Sequence, residues 1–205
     1  MFRKSIDRAS IDLFNRGSPK PPGTKPTKNK KGKPRSVLIV GLDGAGKSTI
    51  AYQLSEGKFH ETLPTMSVDR LAFEHDGTKF ELYDVGGSAF VRNSWEVYAK
   101  IADAILFVVD AANAPRLAEV QKEIHKLYIG SEEPDATAKL LHKAPLLIFA
   151  NKQDLPGAVQ PTDLFKKLAL EKMPLGQPHI SIVPTKAKEG EGLKKGMTWL
   201  AEQLG

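Results

Sequence analysis

No cysteine occurs among the 205 residues. Disulfides, cysteine metal sites, thiol catalysis and palmitoylation are therefore excluded. No apolar run approaches the roughly 18 residues that a membrane-spanning helix needs. No internal repeat is present, and the length suffices for one domain with a substantial core. Apolar side chains are almost absent from residues 17–35, "GSPKPPGTKPTKNKKGKPR". Such a segment cannot bury enough surface to offset its chain entropy. It reads as an extended, partly polyproline-like linker. It also has no aromatic residue between its basic ones, which argues against a nucleic-acid partner.

What is present is unevenly charged. Residues 1–36 carry eleven Lys/Arg against two Asp, a net +9 within a whole-chain charge of +6, so the remainder is at −3. The basic character belongs to the tail, and the body is slightly acidic. The expected division is a possible amphipathic helix at 1–16, a basic linker at 17–35 and a folded domain at 36–205.

The body alternates short apolar runs with helical patterns. "SVLIVGL" (36–42) reads as a buried parallel strand, followed by a helix over 47–56. "RLAFEHDGTKFELYD" (70–84) reads as two alternating strands about an Asp76-Gly77 turn. "WEVYAKI" reads as helical. "DAILFVVDA" (103–111) and "APLLIFANK" (144–152) are two further buried strands, with a helix over 114–129 between them. A helix over 163–172, a strand over 179–185 and a closing helix over 191–204 complete the pattern. The fold class is α/β, with a mainly parallel sheet, one antiparallel hairpin and helices on both faces. Ligands of such sheets sit at the C-terminal ends of the strands, where every motif below falls.

"GLDGAGKS" comprises Gly41, Leu42, Asp43, Gly44, Ala45, Gly46, Lys47 and Ser48, with Thr49 next, and fits G-x-x-x-x-G-K-[ST]. The glycines let successive N–H groups converge as an anion nest, and the following helix aims its positive end at the same point. Lys47 is placed to reach the β- and γ-phosphates, and the Ser48 hydroxyl to ligate Mg²⁺. Asp84, before Gly86-Gly87, can hold Mg²⁺, usually through a water. The Gly87 N–H can then sense a γ-phosphate. "NKQD" puts Asn151, Lys152 and Asp154 at another strand end. The Asp154 carboxylate can accept from N1–H and N2–H₂ of guanine, a donor pair adenine lacks. Lys152 can lie along the base, and Asn151 can brace the loops. In "PTKAKEGEG" (184–192), the Ala187 N–H can contact guanine O6 with Lys188 beside it; a plain Lys/Gly-rich loop fits the same residues. Thr65 in "LPTMSV" can add a second hydroxyl to Mg²⁺ when γ-phosphate is present.

Together these residues resemble an Arf-like small GTPase over about 36–204. The marks are GLDGAGKS, LPT before a hairpin, YDVGG, the Arg92/Trp95/Tyr98 spacing, LFVVDA and the contiguous FANKQDLPGA. The resemblance implies a phosphate-loop NTPase fold of the small-GTPase type, with a six-stranded sheet and an edge hairpin. It implies GTP or GDP and Mg²⁺ as cofactors, and Lys47, Thr65, Gly87 and residue 88 as the catalytic positions. It implies a hairpin able to slide between nucleotide states. It also implies protein effectors or assembly partners meeting the switch regions and tail. Leu71, Phe73 and Tyr83 are candidates for that apolar surface, or are ordinary sheet packing.

The departures carry equal information. The family usually has Gln after the double glycine, and here it is Ser88, whose hydroxyl is too short to orient an attacking water as the amide does. GTP hydrolysis is therefore expected to be slow. A divergent branch that includes a ciliary Arf-like GTPase also lacks this glutamine. Ser67 stands where the family has a glycine, and residues 130–143 form a longer loop than usual. The sequence begins Met1-Phe2, without the glycine that N-myristoylation needs, so that modification is not expected. Phe2, Ile6, Ala9 and Leu13 share one helical face, with Arg3/Asp7, Arg8/Asp12 and Asp12/Arg16 as charge pairs. A peripheral membrane anchor, a protein-docking arm and a solvated tail all fit it. An organelle-targeting segment fits less well because of its aspartates. Two functions follow: a regulatory switch in trafficking or ciliary signalling, or a nucleotide-bound structural or adaptor subunit with little GTPase activity. The expected location is the cytoplasm, with membrane, cilium or organelle association as alternatives.

Overall fold

The computed structural model describes residues 32–62, 65, 68–99, 101–129, 144–173 and 179–205. The expectations for the tail before residue 32, the loop 130–143 and Ser67 lie outside the described residues. Six strands form one sheet: β1 (Arg35–Val40), β2 (Val68–His75), β3 (Thr78–Val85), β4 (Ala104–Asp110), β5 (Leu146–Asn151) and β6 (Ile180–Pro184). Their order is β2-β3-β1-β4-β5-β6. Only β2 and β3 pair antiparallel; the other pairs are parallel. This is the expected α/β sheet with its edge hairpin.

Composition accounts for the layering. All six residues of β5 are buried, as is β4 except for Asp110. Strands covered on both faces must be apolar on both. On one face, α1 (Lys47–Glu56) and α5 (Leu193–Leu204) pack Ile50, Ala51, Leu193, Met197 and Leu200 against Ile39, Leu82, Leu106 and Phe149. On the other, α2 (Trp95–Ala99), α3 (Leu117–Ile129) and α4 (Pro161–Lys167) pack Trp95, Val120, Ile124 and Leu164 against Leu38, Phe107 and Ile148. The hairpin closes through Asp76 and Gly77, both at positive φ (49° and 72°), as a two-residue turn between twisted strands requires. Its register runs from Val68 opposite Val85 to His75 opposite Thr78.

Two expectations are corrected and one open choice is narrowed. The first strand ends at Val40, before Gly41 and Leu42. Leu42 belongs to the loop that follows and is apolar because it is buried beneath that loop. The helix expected over 163–172 is broken. It starts at Pro161, ends at Lys167, passes through Ala169 at φ 49°, and continues as a 3₁₀ turn over Leu170–Lys172. One straight helix would point Leu168 and Leu170 to opposite sides; the break buries both. Finally, Leu71, Phe73 and Tyr83 do not form one patch. Leu71 and Phe73 pack on the α1/α5 face of the sheet, and Tyr83 packs on the other.

Candidate functional site

The chain leaves β1 at Val40 and turns through Gly41–Gly46 into α1, beside β4, and the connections leaving these two neighbouring strands run to opposite faces of the sheet. A cleft of about 610 Å³ opens there. Its walls come from the loop after β1 (Asp43, Gly44, Gly46, Lys47, Ser48, Thr49), the segment after β3 (Gly87, Ser88) and the loops after β5 and β6 (Asn151, Lys152, Asp154, Ala187, Lys188). Thr62 and Thr65, from the stretch before β2, also line it. Five segments separated in sequence thus meet where the strand ends converge. Gly41, Leu42, Ala45 and Asp84 are the remaining predicted site residues. They support the walls and do not line the cleft.

The end expected to take phosphate is held by close contacts. Lys47 is buried, and its ammonium donates to the Leu42 carbonyl over 3.1 Å. Burial lowers its pKa, against the opposing attraction of Asp84 and Asp43. Gly87 lies directly over it. A Cβ added at Gly87 would stand 2.5 Å from Lys47 Nζ and 2.2 Å from the Gly41 carbonyl oxygen, so no larger residue fits. The Ser48 hydroxyl donates to Asp84 Oδ2 over 2.5 Å and lies 2.9 Å from the Thr65 hydroxyl. The other carboxylate oxygen, Asp84 Oδ1, is buried without a partner. Burial raises the Asp84 pKa, while the Ser48 hydrogen bond and the Lys47 charge pull it down.

These contacts test the fit of a cation. A buried, unpartnered carboxylate oxygen costs free energy until something satisfies it. Two hydroxyls beside it complete a set of hard oxygen donors, which suits Mg²⁺ sharing its shell with phosphate and water. Among the described residues there is no cluster of three His, Cys, Asp or Glu that could hold a metal. The Ser48, Thr65 and Asp84 oxygens fit a hard cation of that kind.

The other end of the cleft is organised by Asn151. Its Nδ2 donates to the Ala45 carbonyl over 2.9 Å. Its Oδ1 accepts from the Thr185 hydroxyl at 3.2 Å and the Ala187 N–H at 3.0 Å. One side chain thus ties the loops after β1, β5 and β6 together. A Cβ at Gly46 would meet its amide at 2.5 Å, which explains a glycine there. The Ala187 N–H is shared with this bond, so any contact it makes to a base must be bifurcated. Lys152 takes a positive φ of 65°, and its ammonium pairs with Asp110 at 2.7 Å. Asp154 is exposed on the cleft wall. Gln53 of α1 donates to the Lys188 carbonyl over 2.7 Å, joining the loop after β6 to the helix that follows the loop after β1.

Several supporting residues were not identified from sequence. Asp110 ends a buried strand, the same signal that marked Asp84. Arg92 was noted only for its spacing, yet it is buried and pairs with Glu119 at 2.7 Å, Glu123 at 3.3 Å and Asp43 at 3.5 Å. Arg116 pairs with Asp43 at 2.9 Å and Glu119 at 3.0 Å. These hydrogen bonds hold the Asp43 and Glu119 carboxyls below the usual carboxylate range, the Arg116 bond being the largest cause in each case. The segment after β3 also exposes Phe90, Val97 and Ile101, of which Phe90 is 92 % exposed.

The sequence profile of the ADP-ribosylation factor family matches residues 25–204. The chain is 38 % identical over 168 residues to ADP-ribosylation factor-like protein 1 of Caenorhabditis elegans, covering 82 % of this chain and 88 % of that one. Among solved structures, it superposes on the Arl6 BBS3 small GTPase from Trypanosoma brucei, determined with the nucleotide analogue GppNp bound. The TM-score is 0.71 and the identity 31 %, over 84 % of this chain and 98 % of that one.

Proposed function

The chain belongs to the ADP-ribosylation factor family of nucleotide-binding small GTPases, and from that premise we propose a Mg²⁺-dependent GTP/GDP switch that hydrolyses GTP slowly. The observation that carries the reading is the meeting of Ser48, Thr65, Lys47 and Gly87 at one end of a cleft, with Asp84 bonded to Ser48 behind its wall, while the other end presents Asp154. Lys47 and the N–H nest would neutralise phosphate charge. Ser48, Thr65 and Asp84 would hold Mg²⁺, which supplies charge neutralisation at the β- and γ-phosphates. Asp154 would select guanine by accepting from its N1–H and N2–H₂, with Lys152 along the base and Ala187 and Lys188 flanking it. The Trypanosoma relative, solved with GppNp, supports a triphosphate in the same cleft.

Slow hydrolysis rests on Ser88. Phosphoryl transfer asks mainly for positioning, and water positioning is what a serine cannot provide at this place. The setting proposed is the cytoplasm, in membrane trafficking or ciliary signalling. The basic tail would then reach a membrane surface or a protein partner. Ser88 also favours a second reading, a nucleotide-loaded adaptor subunit that does not cycle.

One experiment separates the readings. The purified full-length chain is denatured and the released nucleotide identified by chromatography; GTP is then reloaded with Mg²⁺ and phosphate release followed. Bound GDP with measurable exchange and slow turnover supports the switch. GTP that stays bound and intact supports the adaptor. Absence of any guanine nucleotide, before and after reloading, refutes both.

A further inference from the structure

Gly86 and Gly87 follow β3, and each has its carbonyl oxygen held by a buried side chain. The Trp95 indole Nε1–H donates to the Gly86 oxygen over 2.9 Å. Arg92 Nε–H donates to the Gly87 oxygen over 2.8 Å, and the Asp43 N–H reaches the same oxygen at 3.2 Å. Trp95 is 1 % exposed and Arg92 7 %. Both are fixed in turn: Trp95 stacks edge-on against Phe107, with ring centroids 5.9 Å apart. Arg92 is gripped by Glu119 and Glu123 of α3.

A planar trans peptide points its N–H away from its C=O. With the Gly86 carbonyl turned toward the buried indole, the N–H of the same peptide, which is that of Gly87, is turned away from it. Gly87 itself presses on the phosphate loop and lines the cleft. Its N–H therefore faces the phosphate end. The next peptide plane is locked by Arg92 and by the phosphate loop's own Asp43 N–H. None of these contacts uses the side chain of residue 88.

We propose that Trp95 and Arg92 are positioning residues for γ-phosphate recognition. They act as a two-point clamp that presents the Gly87 N–H, already oriented, to the terminal phosphate of GTP. The inference rests on the reading of the cleft as a guanine-nucleotide site. It gives a chain with Ser88 a means of telling GTP from GDP that is independent of hydrolysis, because the sensing donor is backbone and its orientation comes from Trp95 and Arg92. GDP has no γ-phosphate and does not engage this donor.

The test compares affinities for GDP and for GppNp on the full-length chain with Mg²⁺. Trp95 is replaced by 3-benzothienylalanine, which keeps the ring shape but has sulfur in place of the N–H; Trp95→Phe and Arg92→Gln are made alongside. The expected result is a loss of about three- to tenfold in GppNp affinity, the range of one hydrogen bond, with GDP affinity altered much less. Equal losses for both nucleotides would overturn the proposal, since they would show a general structural role. So would unchanged GppNp affinity in the benzothienyl variant, which retains the packing even if Trp95→Phe fails to fold. If the unsubstituted chain binds neither nucleotide, the reading of the cleft fails first, and that is seen before any variant is compared.

Discussion

The Ser48 hydroxyl donates to Asp84 over 2.5 Å, yet the second oxygen of that carboxylate is buried with nothing to bond. Asp84 is thus a charge whose burial disfavours it in the protein alone and which a cation would satisfy. Asp84→Asn should act in opposite directions with and without Mg²⁺. Without Mg²⁺ and nucleotide, the neutral amide should raise stability, by about 1 kcal/mol. With Mg²⁺ and GDP, the variant should lose most of the metal-dependent gain in melting temperature. Thermal melts of both proteins in both conditions check this, and a destabilised metal-free variant would refute it.

Asp154 stands exposed at the far end of the cleft, where a carboxylate can take both guanine donors as charge-assisted hydrogen bonds. Asp154→Asn exchanges one acceptor for a donor. Affinity for GDP should fall about tenfold to a hundredfold, and affinity for xanthosine diphosphate, which offers a carbonyl at the 2-position, should rise. Competition binding with the two nucleotides reads the ratio directly.

How far the sequence reached depends on whether a residue's partner is local. The phosphate loop was legible because its loop geometry is built from contiguous residues. Asp84, Asp110 and Asp154 share one signal, a carboxylate at or just beyond the end of an apolar strand. It is specific where a glycine pair or NKQD reinforces it, and Asp110 has neither. The hairpin was legible because Asp76-Gly77 demands a turn. The clamp at Gly86-Gly87 was not, because a buried arginine reads from sequence like any exposed one, and its partners Glu119 and Asp43 lie 27 and 49 residues away. The helix break at Ala169 was not legible for the same reason. Local propensity favours continuing the helix, and only the need to bury both Leu168 and Leu170 ends it.

The ion pairs around Asp43 and Glu119 make a pH prediction. Both carboxyls have pKa values lowered in the folded protein, with the Arg116 hydrogen bond as the main cause. A lowered folded-state pKa gives stability that is present above the unfolded carboxylate range, near about 4, and lost as pH falls through the folded values. Arg116→Ala should therefore cost stability at pH 7 and cost less at pH 3, where the unfolded carboxyls are already protonated. The Asp43 and Glu119 side chains are 55 % and 39 % exposed, so solvent screens the pairs. The difference at pH 7 should be about 0.5 kcal/mol and should shrink in 1 M salt. Urea midpoints at the two pH values, with and without salt, measure it.

On the proposed reading, Ser88 is the position that sets whether the switch turns itself off. Its carbonyl accepts from the Val91 and Arg92 N–H groups at 2.9 and 3.2 Å, so the backbone at this position is fixed, and the residue lines the cleft beside Gly87. A glutamine placed here would start from an ordered backbone and carry its amide toward the phosphate end. Ser88→Gln should raise single-turnover GTP hydrolysis by about tenfold or more, since the missing element is the group that orients water. Nucleotide affinity should change little, because the Gly87 N–H, Lys47 and the Mg²⁺ donors are untouched. Phosphate release from preloaded GTP, measured beside GppNp affinity, separates the two effects. Faster release at constant affinity would identify residue 88 as the one missing catalytic part. No gain would mean that water is positioned by another residue of this chain or supplied with its positioning group by a partner.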